Sequence, residues 1–220
     1  MKSNNLFEEL FIKNKYQYVP IVGASGSGKT TLLKVLFSQR ISNGCGALFI
    51  TSRGVGEELQ EILSICRNNR RANDVIVFDF TNNNDDIESI TIDIKEIVNS
   101  NKILIINYCG IKNKINSFIK NRVFAPLIEN CTKPKETFMI FIDKSWTQEE
   151  NFIILDILSV LRSTNIHLIV SSNQIIKSNA VKEQIKEDEN IEIFLKTNLP
   201  VGQGILLKNG RENKFSFEKL

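Results

Sequence analysis

Apolar residues in this chain gather into short unbroken runs separated by longer stretches of mixed polarity. The runs are Tyr18–Val22, Ala47–Thr51, Val75–Phe80, Ile103–Asn107, Phe138–Ile142 and His167–Ser171, all rich in Ile, Val or Phe. Runs of this length without polar alternation are what strands need when both of their faces are covered. The intervals between them leave room for crossover helices, so the pattern predicts a mostly parallel sheet flanked by helices. Helices are expected at about 30–39, 56–69, 112–130 and 149–162, with a further, charged one over 175–189. In the stretch 149–162, Phe152, Ile154, Leu155, Ile157, Leu158 and Leu161 form a broad apolar face, and Thr147 followed by Glu150 resembles a capping box. The pattern changes near the C-terminus. Ile191–Thr197, Gly204–Lys208 and Lys214–Phe217 read as short strands separated by Asn-Leu-Pro and Asn-Gly-Arg turns, an antiparallel finish to the sheet. Residues 1–17 read as a lead-in helix or arm, and 18–220 as one domain.

Composition narrows the class without naming it. At 220 residues and 42% hydrophobic, the chain has enough apolar material for one sizeable core. A net charge of +3 is too mild to argue for nucleic acid or a membrane surface from charge alone. The four cysteines, Cys45, Cys66, Cys109 and Cys131, are scattered with no C-x-x-C pair, which fits buried thiols in a reducing compartment. No apolar run approaches the roughly eighteen residues needed to span a bilayer, and Met1-Lys-Ser-Asn-Asn5 lacks the apolar segment of a signal peptide. A soluble, cytoplasmic protein is expected.

The chemistry begins directly after the first apolar run. Gly23-Ala24-Ser25-Gly26-Ser27-Gly28-Lys29-Thr30 spells G-x-x-x-x-G-K-[ST], between an expected strand and an expected helix. In that context successive backbone N–H groups converge on one anionic pocket at a helix N-terminus. Lys29 is expected to reach the β- and γ-phosphates of a nucleotide and Thr30 to offer its hydroxyl to Mg2+, with Thr31 a weaker neighbour. ATP and Mg2+ are the implied cofactors.

A phosphate-binding loop needs an acidic partner at the end of a nearby strand to hold the metal's hydration shell, and Phe138-Met-Ile-Phe-Ile-Asp143 supplies a Walker B pattern of that kind. Asp143 is therefore assigned to the metal. In motor ATPases that Asp is usually followed by a Glu that activates the attacking water. Here Lys144 follows. A charged lysine cannot accept a proton, so hydrolysis must use another acid or be slow. Glu149 and Glu150 are near in sequence, but both also suit the first turn of the helix expected there.

With the Walker pair in place, the order of the remaining segments resembles the HerA/FtsK superfamily of P-loop ATPases, over about residues 18–220. Ile50-Thr51-Ser52-Arg53-Gly54 is similar to the family's turn after the second strand, keeping the basic residue and the glycine. Ile90–Asp93 followed by Lys102–Asn107 resembles the segment between its third and fourth strands, and Asn121-Arg122 the start of the helix before Walker B. Leu161-Arg162 through His167 to Asn173-Gln174 is similar to the stretch leading to a sensor glutamine, which aligns with Asn173, Gln174 lying one position later. Leu199-Pro-Val-Gly202-Gln-Gly204 looks like the closing strand pair. The resemblance implies a RecA-like α/β fold, a homo-oligomer (a hexameric ring) and double-stranded DNA as the polymer handled, in conjugation or genome-packaging machinery or in chromosome processing. It also leaves Arg162 as either a trans-acting finger or a cation at a helix end. His167, alone among Ile and Leu, reads as structural. The cluster Arg67, Arg70 and Arg71 reads as a solvated helix end, with DNA contact the alternative.

Two functions follow. One is a DNA-translocating motor ATPase. The other, favoured by Lys144, is a hydrolysis-impaired nucleotide-binding subunit that acts as a regulatory or structural switch.

Overall fold

A computed structural model of the chain describes residues 6–13, 16–52, 56–81, 87, 90–108, 117–130, 137–143, 165–173, 191–195, 200 and 202–218. The apolar runs become strands β1 (Tyr18–Gly23), β2 (Ala47–Thr51), β3 (Val75–Phe80), β4 (Ile103–Tyr108), β5 (Phe138–Asp143) and β6 (Ile166–Ser172). β7 (Ile191–Leu195), β8 (Gln203–Lys208) and β9 (Arg211–Ser216) follow. Together they form one sheet in the order β3-β4-β2-β5-β6-β1-β7-β8-β9. β1 to β7 pair in parallel, and β7/β8 and β8/β9 are antiparallel. The fold is thus α/β, a mostly parallel sheet flanked by helices with antiparallel C-terminal strands.

Every residue of β2, β4, β5 and β6 is buried, as unbroken apolar runs require of strands covered on both faces. Side chains alternate between two layers. On one face, Phe49, Ile105, Phe141 and Ile169 pack with α1 (Lys29–Ser42) and α2 (Gly56–Asn68). On the other, Ile50, Ile106, Ile142 and Val170 pack with α3 (Ile94–Asn99) and α4 (Ala125–Asn130). Phe141 illustrates the density: it is fully buried, with the Phe37 ring 5.5 Å away edge-on and the Phe49 ring stacked at 6.2 Å. Burying one such side chain contributes about 1.5–3 kcal/mol.

Several expectations are modified, each for a local reason. β3 is an edge strand, and Val77 and Asp79 are exposed in it, so the doubly covered pattern fails there. Pro20 has no N–H to give a central strand. It is accommodated because the pairing of β1 with β7 starts one residue later, at Ile21. The helix expected over 112–130 is described from 117. It runs as a π-helical turn, Ile119–Phe124, into α4, with the Ala125 N–H bonding back to the Lys120 carbonyl. Pro126 cannot donate the next helical bond, and wider turns collect at such sites. Residues 6–13 are no loose arm: the π-helical segment Glu8–Lys13 buries Leu10 and Phe11 in the core alongside Leu6 and Phe7. β9 begins at Arg211 rather than Lys214, because Asn209 (φ 49°) and Gly210 (φ 77°) make a two-residue turn that pairs Lys208 with Arg211 at once. The helices expected at 149–162 and 175–189 lie outside the described residues. Among the described residues no helix is long and apolar enough to cross a membrane.

Candidate nucleotide site

The loop Gly23–Gly28 leaves the C-terminal end of β1 and enters α1 through Gly28, whose φ of 91° places the residue before the helix in the left-handed region. The α1 N-terminus carries no side-chain cap and no acidic residue in its first turn. Its first N–H groups have no partner within the helix itself, and the helix dipole concentrates positive potential there. Lys29 adds a full charge. Its side chain is buried and arches back over the loop, the ammonium donating to the Gly23 carbonyl at 2.7 Å and the Ala24 carbonyl at 2.8 Å. Ala24, Ser25 and Gly26 are exposed along the outside of the loop. Gly23 does more than give backbone freedom. A Cβ there would collide with the Leu195 carbonyl oxygen on β7 and with Ser27 Oγ, so this position holds the loop against the neighbouring strand.

Polar side chains line up across the sheet at the same level. Register pairs Asp79 with Asn107, Asn107 with Thr51, Thr51 with Asp143, and Asp143 with Ser171. In β2, β4, β5 and β6 this residue falls two positions after one that packs on α1 or α2 (Phe49, Ile105, Phe141 and Ile169), so the row projects from the face carrying the loop helix. Thr51, Asn107, Asp143 and Ser171 are all almost fully buried. The Ser171 hydroxyl donates to Asp143 Oδ1, and Asn107 Nδ2 donates to Asp79 Oδ1 at 3.1 Å. β6 lies between β1 and β5, which separates the loop strand from the Asp143 strand by two strand spacings, about 10 Å. That leaves room for a phosphate group and a hydrated cation between them.

Thr30 Oγ1 and Ser27 Oγ are buried hydroxyl oxygens with no hydrogen-bond partner among the described residues. An orphaned buried hydroxyl costs about 1–3 kcal/mol. Thr30, one residue into the loop helix, therefore suits a cation or a phosphate oxygen as the group that would satisfy it. Thr31 is half-buried and lines a groove together with Lys34.

Of the remaining expected site residues, Asn173 follows β6 directly and is exposed beyond Ser172, on the strand neighbouring β1. Arg162, Gln174 and Lys144 lie outside the described residues, as do Glu149 and Glu150. His167 is buried near the start of β6, its Nδ1–H donating to the Tyr16 carbonyl at 2.5 Å with the Phe11 ring edge-on. It is distant from the loop end of the strand and structural. The cluster at the end of α2 is partly committed. Arg71 donates to the carbonyls of Ile41, Cys45 and Asn101 and pairs with Asp74, whereas Arg67 and Arg70 are exposed. Cys66 is buried, and burial pushes its thiol up to about 11 against the lowering effect of Arg71 and Arg67.

Ser171 was not singled out from the sequence, and Thr51 was read only as part of the turn after the second strand, although a signal for the row exists. β2, β4, β5 and β6 each end an apolar run on a polar residue, and those residues become the row.

No protein-family model matches the chain, and no curated protein matches it in sequence. Its structure, however, is similar to solved P-loop ATPases. The genome packaging NTPase B204 of Sulfolobus turreted icosahedral virus 2, solved in complex with AMP, superposes with a TM-score of 0.55 at 12% identity, over 93% of this chain and 98% of that one. B204 of Sulfolobus turreted icosahedral virus, a DNA-packaging ATPase, gives 0.55 at 13% identity over 94% and 99%. The cytoplasmic part of the type VII secretion ATPase EccC from Thermomonospora curvata gives 0.51 at 12% identity, over 91% of this chain but 23% of that one. At these identities the likeness is one of fold. This chain has the RecA-like P-loop NTPase fold expected from the HerA/FtsK resemblance.

Proposed function

We propose that the chain is an ATP-binding motor ATPase of the HerA/FtsK type that moves double-stranded DNA, with genome packaging as its setting. The observation that carries the nucleotide reading is the convergence, at the C-terminal ends of the central strands, of the uncapped α1 N-terminus, Lys29, the orphaned Thr30 hydroxyl and the buried Asp143. Backbone N–H groups of Gly26–Thr30 bind the phosphates. Lys29 exchanges the Gly23 and Ala24 carbonyls for phosphate oxygens. Thr30 and Asp143 are the residues that would hold Mg2+, Ser171 keeping the Asp143 carboxylate in place. Bound there, the cation would neutralise charge on the β- and γ-phosphates. Asn173, or Gln174 beside it, senses the γ-phosphate. DNA packaging is favoured over conjugation because two viral packaging ATPases match this chain nearly end to end in both directions. A homo-oligomeric ring, hexameric by the family resemblance, working in the cytoplasm and offering Arg162 in trans, completes this reading.

A second reading is favoured by one observation. The strands beside β5 bring Thr51 and Ser171 to the row, not a carboxylate, and the next acid along it is Asp79, three strands from Asp143. With Lys144 following Asp143, no second acid among the described residues of the row lies beside Asp143 to act as a general base. The chain would then be a nucleotide-operated switch subunit. ATP hydrolysis by the purified protein, with and without linear double-stranded DNA and with Lys29→Ala as the blank, separates the two. DNA-stimulated turnover that vanishes in Lys29→Ala supports the motor. Binding without turnover supports the switch, and Lys144→Glu should then raise turnover at least tenfold.

A further inference from the structure

Beyond the phosphates, a nucleotide needs a place for its base, and the groove beside the loop helix has the position and chemistry for one. A cavity of about 570 Å³ lies between α1 and α2, lined by Thr31, Lys34, Glu57, Gln60, Glu61 and Ser64, and onward by Ile65 and Asn68. Its volume falls within the range of small-molecule sites, about 300–1,000 Å³. Thr31 ties it to the phosphate site. This residue immediately follows the Thr30 assigned to the metal, and it lines the groove. A nucleotide whose triphosphate follows the loop into the first turn of α1 emerges at this residue with its sugar and base.

The walls also select a class of base. Lys34, the cation of the groove, is buried, with its ammonium 2.7 Å from Glu61 Oε2 and 3.3 Å from Glu58 Oε1. The rest of the near end offers the Glu57 and Glu61 carboxylates, the Gln60 amide and the Ser64 hydroxyl, so acceptors outnumber donors. An acceptor-rich wall favours a base with hydrogens to give. We infer that the α1–α2 groove is the base pocket and that it takes an amino-bearing purine, discriminating against purines that lack the exocyclic amino group. Carboxylates also repel phosphate, which keeps the triphosphate in the loop and the base in the groove. This assignment rests on the nucleotide-binding reading above.

The test is a binding titration of the whole chain, in the presence of Mg2+, with ATP, GTP, ITP and inorganic tripolyphosphate. It is run on the unaltered protein, on Gln60→Trp to fill the groove from an exposed position, on Glu57→Ala to remove an acceptor, and on Lys29→Ala. The expected result is that ATP or GTP binds at least tenfold tighter than ITP. Gln60→Trp should weaken the preferred nucleotide at least tenfold, Glu57→Ala should narrow its advantage over ITP, and tripolyphosphate should bind all but Lys29→Ala alike. Retained tripolyphosphate binding also certifies that each variant is folded. If Gln60→Trp and Glu57→Ala bind ATP, GTP and ITP as the unaltered protein does, the base lies elsewhere and the inference is overturned while the phosphate site stands. Failure of the unaltered protein to bind either ATP or tripolyphosphate would overturn the nucleotide reading itself, and the base pocket with it.

Discussion

The N-termini of α1 and α3 solve the same electrostatic problem in opposite ways. α3 is closed by its own chain: the Asp93 side chain accepts from the Glu96 N–H at 2.8 Å, and Glu96 adds an acid to the first turn. α2 likewise begins with Glu57 and Glu58. α1 begins with a left-handed glycine, no cap, no acid and a buried lysine. A helix end supplied with its own carboxylates has its dipole answered internally. One left without them and given a cation is built for an anion from outside. Under the proposed function, this difference separates structural helix ends from a functional one within a single molecule.

Three substitutions test this contrast, in order of decreasing effect. Gly23→Ala should destroy the α1 site while leaving α3 intact, because the added methyl group meets the Leu195 carbonyl and Ser27. Overpacking of this kind costs about 1–3 kcal/mol. Chemical denaturation should report that loss, and ATP titration should detect no binding. Thr31→Glu would give α1 the first-turn acid that α2 and α3 possess. It should weaken ATP about tenfold, or about 1.4 kcal/mol, with little change in melting temperature. An unchanged ATP affinity would mean that the missing acid has no bearing on anion binding. Asp93→Ala removes the cap of α3 and should lower stability by about 1 kcal/mol, read as a drop in melting temperature, with ATP binding unaltered.

Much of the fold was legible because burial leaves a direct imprint on composition. β2, β4, β5 and β6 are covered on both faces and therefore read as continuous apolar runs. The loop was legible because its pattern is local, eight consecutive residues between a strand and a helix. α3 was missed: only six residues long, it shows its start in the Asp93 and Glu96 pair rather than in a long apolar period. β9 was placed late because its residues are mostly exposed, and the Asn209-Gly210 turn, not hydrophobicity, determines where it begins.

By itself the sequence determined most of the strands, the parallel character of the sheet and the strand-loop-helix pattern of Gly23–Thr30, since each rests on neighbours in the chain. Only the tertiary structure decided what those pieces meet. Strand order inserted β6 between the loop strand and Asp143, and register aligned Thr51, Asn107, Asp143 and Ser171. The packing of α1 on α2 made Thr31, a residue of the first turn of α1, part of the lining of a groove. Strand order and helix packing join residues far apart in the chain, and no local pattern encodes which of several equally apolar strands will lie side by side.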